Sequence, residues 1–169
     1  LRAYHAVRGR PDRAALSLVE QSATVRERHG DALGAINVLR DGVRAARMEV
    51  VRGELEAEDA WTSLAAKLGA VLVDVGHHSE ATDVVRAALG ASRLEEGRRA
   101  KILEQLARAA AGRDQMEDAN RIRGEALAIA ERMHDSETIS RLRGPLFGDR
   151  SGSRHIGGRG ATFTKKSAR

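Results

Sequence analysis

The chain of 169 residues has no cysteine. Disulfides, thiol nucleophiles and thiolate-ligated zinc are thereby excluded, and the composition suits a reducing, cytoplasmic setting. Aromatic residues make up only 2% of the chain, too few for the stacking platforms on which single-stranded nucleic acid is read. With two prolines, little in the sequence interrupts long helices. No apolar run approaches the roughly 18 residues that a membrane span requires, and no signal-peptide pattern opens the chain. The pattern at Leu1 already reads as mid-helix, so we expect a piece of a longer protein, cut on its N-terminal side.

Charge is present in both signs but unevenly placed. The net charge is +5. From Gly144 onward Arg150, Arg154, Arg159, Lys165, Lys166 and Arg169 face one acid, Asp149, which accounts for all of it. Taking those residues from totals of 29 basic and 24 acidic leaves 23 of each in residues 1–143. The high isoelectric point therefore belongs to the C-terminal segment, and a nucleic-acid surface spread over the whole body is poorly supported. Residues 148–169 are rich in Gly, Ser, Thr and Arg, a composition expected to be disordered in isolation. The sequence divides into a body, residues 1–143, and a flexible basic tail, residues 144–169.

What fills the body is Ala, Leu, Val and Ile at helical spacing. Leu64, Leu68, Val71, Leu72 and Val75 share one helix face, and after "GHHS" the pattern restarts with Ala81, Val84, Val85, Ala88 and Leu89. Gly76 reads as a helix stop and Ser79 as the N-cap of the next helix. Two amphipathic helices joined by about four residues lie antiparallel to bury both stripes. Turns of this kind are expected at Gly9, Gly42, Gly76 and Gly112, spaced by 33, 34 and 36 residues. Breaks between hairpins are expected at residues 29–31, 56–59, 90–97 and 134–136. Residues 43–75 also allow a different division, or one long bent helix. Asp114 and Glu117 read as a capping-box pair. Residues 136–143, with Ile139 and Leu142, read as a short capping helix before Gly144-Pro145 stops helical structure. A two-helix unit repeating near 34 residues marks a helical-hairpin array.

The pattern Leu68, Gly69, Leu72, Gly76, Ala81, Val85, Ala88 and Leu89 resembles the signature of the tetratricopeptide repeat, and Leu106, Ala107, Ala110, Ala119, Ala126 and Leu127 follow it in the next unit. The small residues let helices approach closely. The usual aromatic positions of that family hold Leu72, Ala110, Val85 and Arg123 here, and another two-helix solenoid fits the same pattern. The resemblance spans roughly residues 1–135. It implies an all-α, right-handed α-solenoid of about four helix-turn-helix hairpins. It also implies a non-catalytic protein-interaction module, a scaffolding or regulatory segment of a larger bacterial signalling or regulatory protein. The first helix of each hairpin then lines a concave face, here with Ser63, Ala66, Ala70, Val73 and Asp74, followed by Lys101, Glu104, Arg108 and Ala111. We expect Ser63, Asp74, Lys101, Glu104 and Arg108 to meet a partner peptide or helix. Lys101 and Arg108, on one face, offer a cationic spot for an acidic or C-terminal peptide. The carboxylate-gripping members of the family carry Lys and Asn where Ala66 and Ala70 stand.

Chemistry of other kinds finds little footing. His77 and His78 are adjacent, not i, i+4, and lie at the opposite helix end from His29 and His134, so no metal site or catalytic role is expected. Glu54, Glu56, Glu58 and Asp59 read as a solvated turn. "GGRG" at 157–160 matches no phosphate loop, and no cofactor is expected. The alternative to a protein-binding module is nucleic-acid association through the basic tail, whose affinity would fall steeply with salt.

Overall fold

The computed structural model describes residues 13–54 and 56–144, apart from the side chains of Arg13, Ala14 and Glu56. These residues form α1 (Arg13–Arg28), α2 (Ala32–Val51), α3 (Glu56–Asp74), α4 (His78–Leu89), α5 (Glu96–Ala111), α6 (Met116–Arg132) and α7 (Ser136–Arg143). No strand occurs among the described residues, and the protein is all-α. No described helix is long and apolar enough to cross a membrane. The turn expected at Gly9 and the basic segment after Gly144 lie outside the described residues.

Five of the six turns share one backbone device. A residue with left-handed φ ends each helix: Gly30, Gly53 and Gly76, then Asp114 and His134. The following N–H bonds back to a carbonyl five residues earlier, as in Asp31→Arg26 at 2.9 Å and His77→Leu72 at 2.8 Å. Glu54→Glu49, Gln115→Ala110 and Asp135→Ala130 repeat it at 3.0–3.1 Å. This closes the last turn of a helix whose final carbonyls lack helical partners. Asp31, His77, Gln115 and Asp135 are also the N-caps of the next helices. One residue thus closes one rod and opens the next, which is why these turns are so short.

Three expectations need correction. Gly42 is no turn: it sits within α2, buried, where an added Cβ would lie 2.6 Å from Val19 Cγ1 and 3.2 Å from Leu64 Cδ1. The glycine is there so that α1 and α3 can close on α2, and this outweighs its poor helix propensity. The upstream chain turns instead at Gly30 and Gly53, so residues 43–75 divide at 52–55 into α2 and α3. The described residues hold three hairpins and the capping helix α7, and the period near 34 gives way to a longer one: α3, α5 and α7 begin at residues 56, 96 and 136, 40 residues apart. The capping residues also shift: His77, not Ser79, caps α4, and Gln115 caps α6 while Asp114 takes the left-handed turn position.

Consecutive helices pack against one another throughout. In addition, α1 meets α3, α3 meets α5, and α5 meets α7, with no comparable contact among α2, α4 and α6. The odd-numbered helices therefore form one continuous layer and the even-numbered helices a second. Between them run two clusters of buried side chains, one centred on Ile36, Leu39, Leu64, Leu68 and Leu72, the other on Val85, Ile102 and Leu106. Ala81, Ala88, Ala107, Ala119 and Ala126 are wholly buried. At Gly69 an added Cβ would collide with Val85 Cγ1, so small residues do set the helix spacing. The helix α7 spans the residues expected of it, with Leu142 buried and Ile139 packed on the core. Arg123 holds its end, donating from Nε to Leu142 O and from Nη2 to Gly144 O at 2.5 Å.

Candidate functional site

The layer of odd-numbered helices carries a groove of about 770 Å³. Its floor is Ser63 and Ala66 of α3, and α5 supplies Lys101, Glu104, Gln105 and Arg108. Glu20 of α1 and Arg141 of α7 stand on opposite sides, and Met133 and Asp135 reach in from the turn before α7. Of the residues expected to meet a partner, the groove brings together Ser63, Lys101, Glu104 and Arg108. Asp74 stands at its end, bonded to Arg108 Nη2 at 2.6 Å. Val73 and Ala111, assigned to the concave lining from the sequence, are buried in the core instead, 3% and 5% exposed. Val73 joins the first core cluster, and Ala111 packs with Ala110 and with Ala119 of α6, the second helix of its own hairpin.

Ion pairs stitch the groove together. Lys67 of α3 meets Glu27 of α1 at 2.5 Å. Arg98 of α5 meets Asp59 of α3 at 2.9 Å and donates to Thr62 Oγ1 at 3.1 Å. Arg141 of α7 is shared between Glu104 of α5 at 3.3 Å and Glu137 at 2.8 Å. Every neighbouring pair of odd-numbered helices is thus bridged. On the other layer Arg40 of α2 grips Glu80 of α4 with two parallel bonds of 2.6 and 2.7 Å, which hold the Glu80 carboxyl below its usual range. Asp135 caps α7 by accepting from Thr138 Oγ1 at 2.6 Å and Thr138 N at 3.0 Å, and these bonds lower its pKa in the same way.

This bonding changes the electrostatics read from the sequence. Four of the five basic side chains in the groove are matched by acids, and Lys101 alone has no ion-pair partner among the described residues. The lining carries five basic and four acidic groups. The acids that pair with the lining from just outside it are Glu27, Asp59, Asp74 and Glu137. With them included the balance is five against eight, a net of −3.

Sequence reasoning missed the burial of Glu58. The acidic turn is not uniformly solvated: Glu58 is 6% exposed and reaches Ser92, accepting from its N–H and from its hydroxyl at 3.0 and 3.2 Å. It holds the α4–α5 loop, the one turn without a left-handed residue. The available signal is separation: Glu58 and Ser92 lie 34 residues apart, and the groove's ion pairs 34 to 40 apart, near one repeat. The histidines behave as turn residues, but His29 follows α1 as His77 follows α3, so these two share one end of the layer and only His134 stands at the other. His77 is exposed and His78 lays its ring against Gly112, where no Cβ intrudes. Among the described residues no group of three His, Asp or Glu side chains is placed to hold a metal ion.

Compared with family models, curated proteins and solved structures, the chain has no match.

Proposed function

We propose that the chain is a non-catalytic protein-interaction module, a tetratricopeptide-like α-solenoid whose concave face receives a peptide or helix of a partner. The observation that carries this reading is the groove itself, which runs across α1, α3, α5 and α7 on the side where alternate helices touch. Helix-pair stacking supports the solenoid assignment, because each hairpin buries its apolar side only against its neighbours. A groove framed by bonded side chains binds by rigid display, with little ordering cost on its own side. The role this suits is a scaffolding or regulatory segment of a cytoplasmic protein.

The test is selection of displayed 12-residue peptides on the full chain. Ser63→Trp fills the floor of the groove and is expected to weaken the selected peptides at least tenfold, with the helical circular-dichroism signal unchanged. Lys101→Glu with Arg108→Glu is expected to alter affinity without unfolding the array. Peptides indifferent to all three substitutions would place binding elsewhere and end this reading.

A further inference from the structure

We infer that the groove receives a basic segment of a partner protein, held by Glu20 on one side and by Glu95 together with Met133 on the other. This rests on the reading of the groove as a peptide-binding site and names the chemistry of its occupant.

The charges already committed decide the sign. Lys67, Arg98, Arg108 and Arg141 are bonded to acids at 2.5–3.3 Å. The fifth cation, Lys101, stands close enough to Asp135 to help hold that carboxyl in its charged form. An acidic ligand would therefore compete with an acid of the protein for every cation it used. The acids of the lining differ. Glu104 is bonded to Arg141, and Asp135 accepts from Thr138. Glu20 and Glu95 have no ion-pair partner among the described residues, and Glu95, the N-cap of α5, makes no capping hydrogen bond with its side chain. A basic ligand thus meets two carboxylates for which no described cation competes.

The two anchors differ in kind. Glu95 Oε1 and Met133 Cε both reach over Gly97, 4.0 and 3.1 Å from where a Cβ would stand. Met133 is 41% exposed. A carboxylate beside an exposed thioether suits Lys or Arg, whose methylene stem covers apolar surface while the charged end meets the acid. Glu20 lies on α1, which meets α3 as α3 meets α5. At ordinary spacings α1 and α5 then stand roughly 16–20 Å apart, a distance that about five or six residues of extended chain cover. Between them α3 supplies a floor of small side chains, Ser63 and Ala66. The fitting segment has two basic residues about that far apart, with smaller residues between them.

The test uses two libraries of displayed 12-residue peptides, one with Lys fixed at positions 4 and 9 and one with Glu there, selected on the full-length chain at low salt. The Lys library is expected to yield binders roughly tenfold more often, and Ser63→Trp to block them. Their affinity should fall about fivefold in Glu20→Gln/Glu95→Gln, as the loss of two screened charge contacts implies. It should hold in Asp83→Asn/Glu117→Gln, which removes the same charge from exposed acids of α4 and α6. Equal losses in the two double variants would mean attraction by overall charge alone and would overturn the inference. If the binders blocked by Ser63→Trp come mainly from the Glu library, or ignore Glu20→Gln/Glu95→Gln, the inference fails while the module stands. If Ser63→Trp blocks no binder from either library, the module reading itself falls.

Discussion

Asp74 accepts a hydrogen bond from Arg108 Nη2 at 2.6 Å, tying the last turn of α3 to the last turn of α5 across 34 residues of chain. The pair is partly exposed, 58% on Asp74 and 25% on Arg108, so water screens it and its worth is about 0.5–1 kcal/mol. Its interest lies in specificity of stacking. Reversing either charge alone, Asp74→Arg or Arg108→Asp, sets like charges against each other and should lower stability by about 1 kcal/mol. Combining the two restores the attraction with its sense exchanged. Urea unfolding of the four chains gives the coupling energy directly; losses that simply add would mean that the pair contributes nothing to stacking.

Gly42→Ala separates the two meanings of a glycine. In an ordinary helix interior the change adds about 1 kcal/mol of stability. Here the new methyl meets Val19 Cγ1 at 2.6 Å and Leu64 Cδ1 at 3.2 Å, neither of which has room to withdraw. The expected result is a net loss of about 1–3 kcal/mol, seen as a lower denaturation midpoint with the slope unchanged. A stabilised variant would show that Val19 and Leu64 yield to the methyl and that close packing of α1, α2 and α3 does not require glycine at this position.

Acidification should unfold the array through its bonded carboxylates. Asp31 accepts from Gly34 N at 2.9 Å and from Arg26, which depresses its pKa; Thr138 does the same to Asp135, and Arg40 to Glu80. A folded pKa below the unfolded one means that each group's contribution is complete above the ordinary carboxylate range. It is then lost as pH falls through the depressed folded value. The melting temperature should hold from pH 7 down to the ordinary values of 3.8 for Asp and 4.5 for Glu and drop below them. The triple variant Asp31→Asn, Asp135→Asn, Glu80→Gln should show a shallower drop. An equally steep fall in that variant would assign acid sensitivity to other groups.

How far the sequence discloses this molecule depends on the range of the signal. The helices around Gly76 and Gly112, and the capping helix at 136–143, follow from local apolar periodicity and turn chemistry, and they stand where expected. The first half misleads because Asp41-Gly42 has the composition of a turn, while the reason for its glycine lies 23 residues away in Val19. The groove residues Ser63, Lys101, Glu104 and Arg108 come from helical register together with the resemblance, which puts the first helix of each hairpin on the concave side. Their electrostatics do not, since the acids that neutralise them sit about one repeat distant. Asp114 and His134 adopt left-handed φ without being glycine, which composition alone does not reveal.

Glu58 is the clearest case of a long-range partner turning a surface-looking residue into a structural one. It lies in an acidic run, yet its carboxylate is buried and accepts from the Ser92 N–H and hydroxyl, with Arg93 N at 3.4 Å. The loop it holds, residues 90–95, leads into α5, the helix that supplies more of the groove wall than any other. Hydrogen bonds to a charged acceptor contribute about 1.5–3 kcal/mol, so Glu58→Ala should cost about 3 kcal/mol, or roughly 6–12 °C in melting temperature. Ser92→Ala removes only the hydroxyl and should cost about 1 kcal/mol. Glu58→Gln should fall between them, because one of its two terminal atoms no longer accepts. Hydrogen exchange locates the effect: amides of residues 91–94 should exchange faster in Glu58→Ala, and those of α1 and α2 should not. If stability falls evenly with no change confined to this loop, Glu58 contributes through burial and not by holding the entrance to α5.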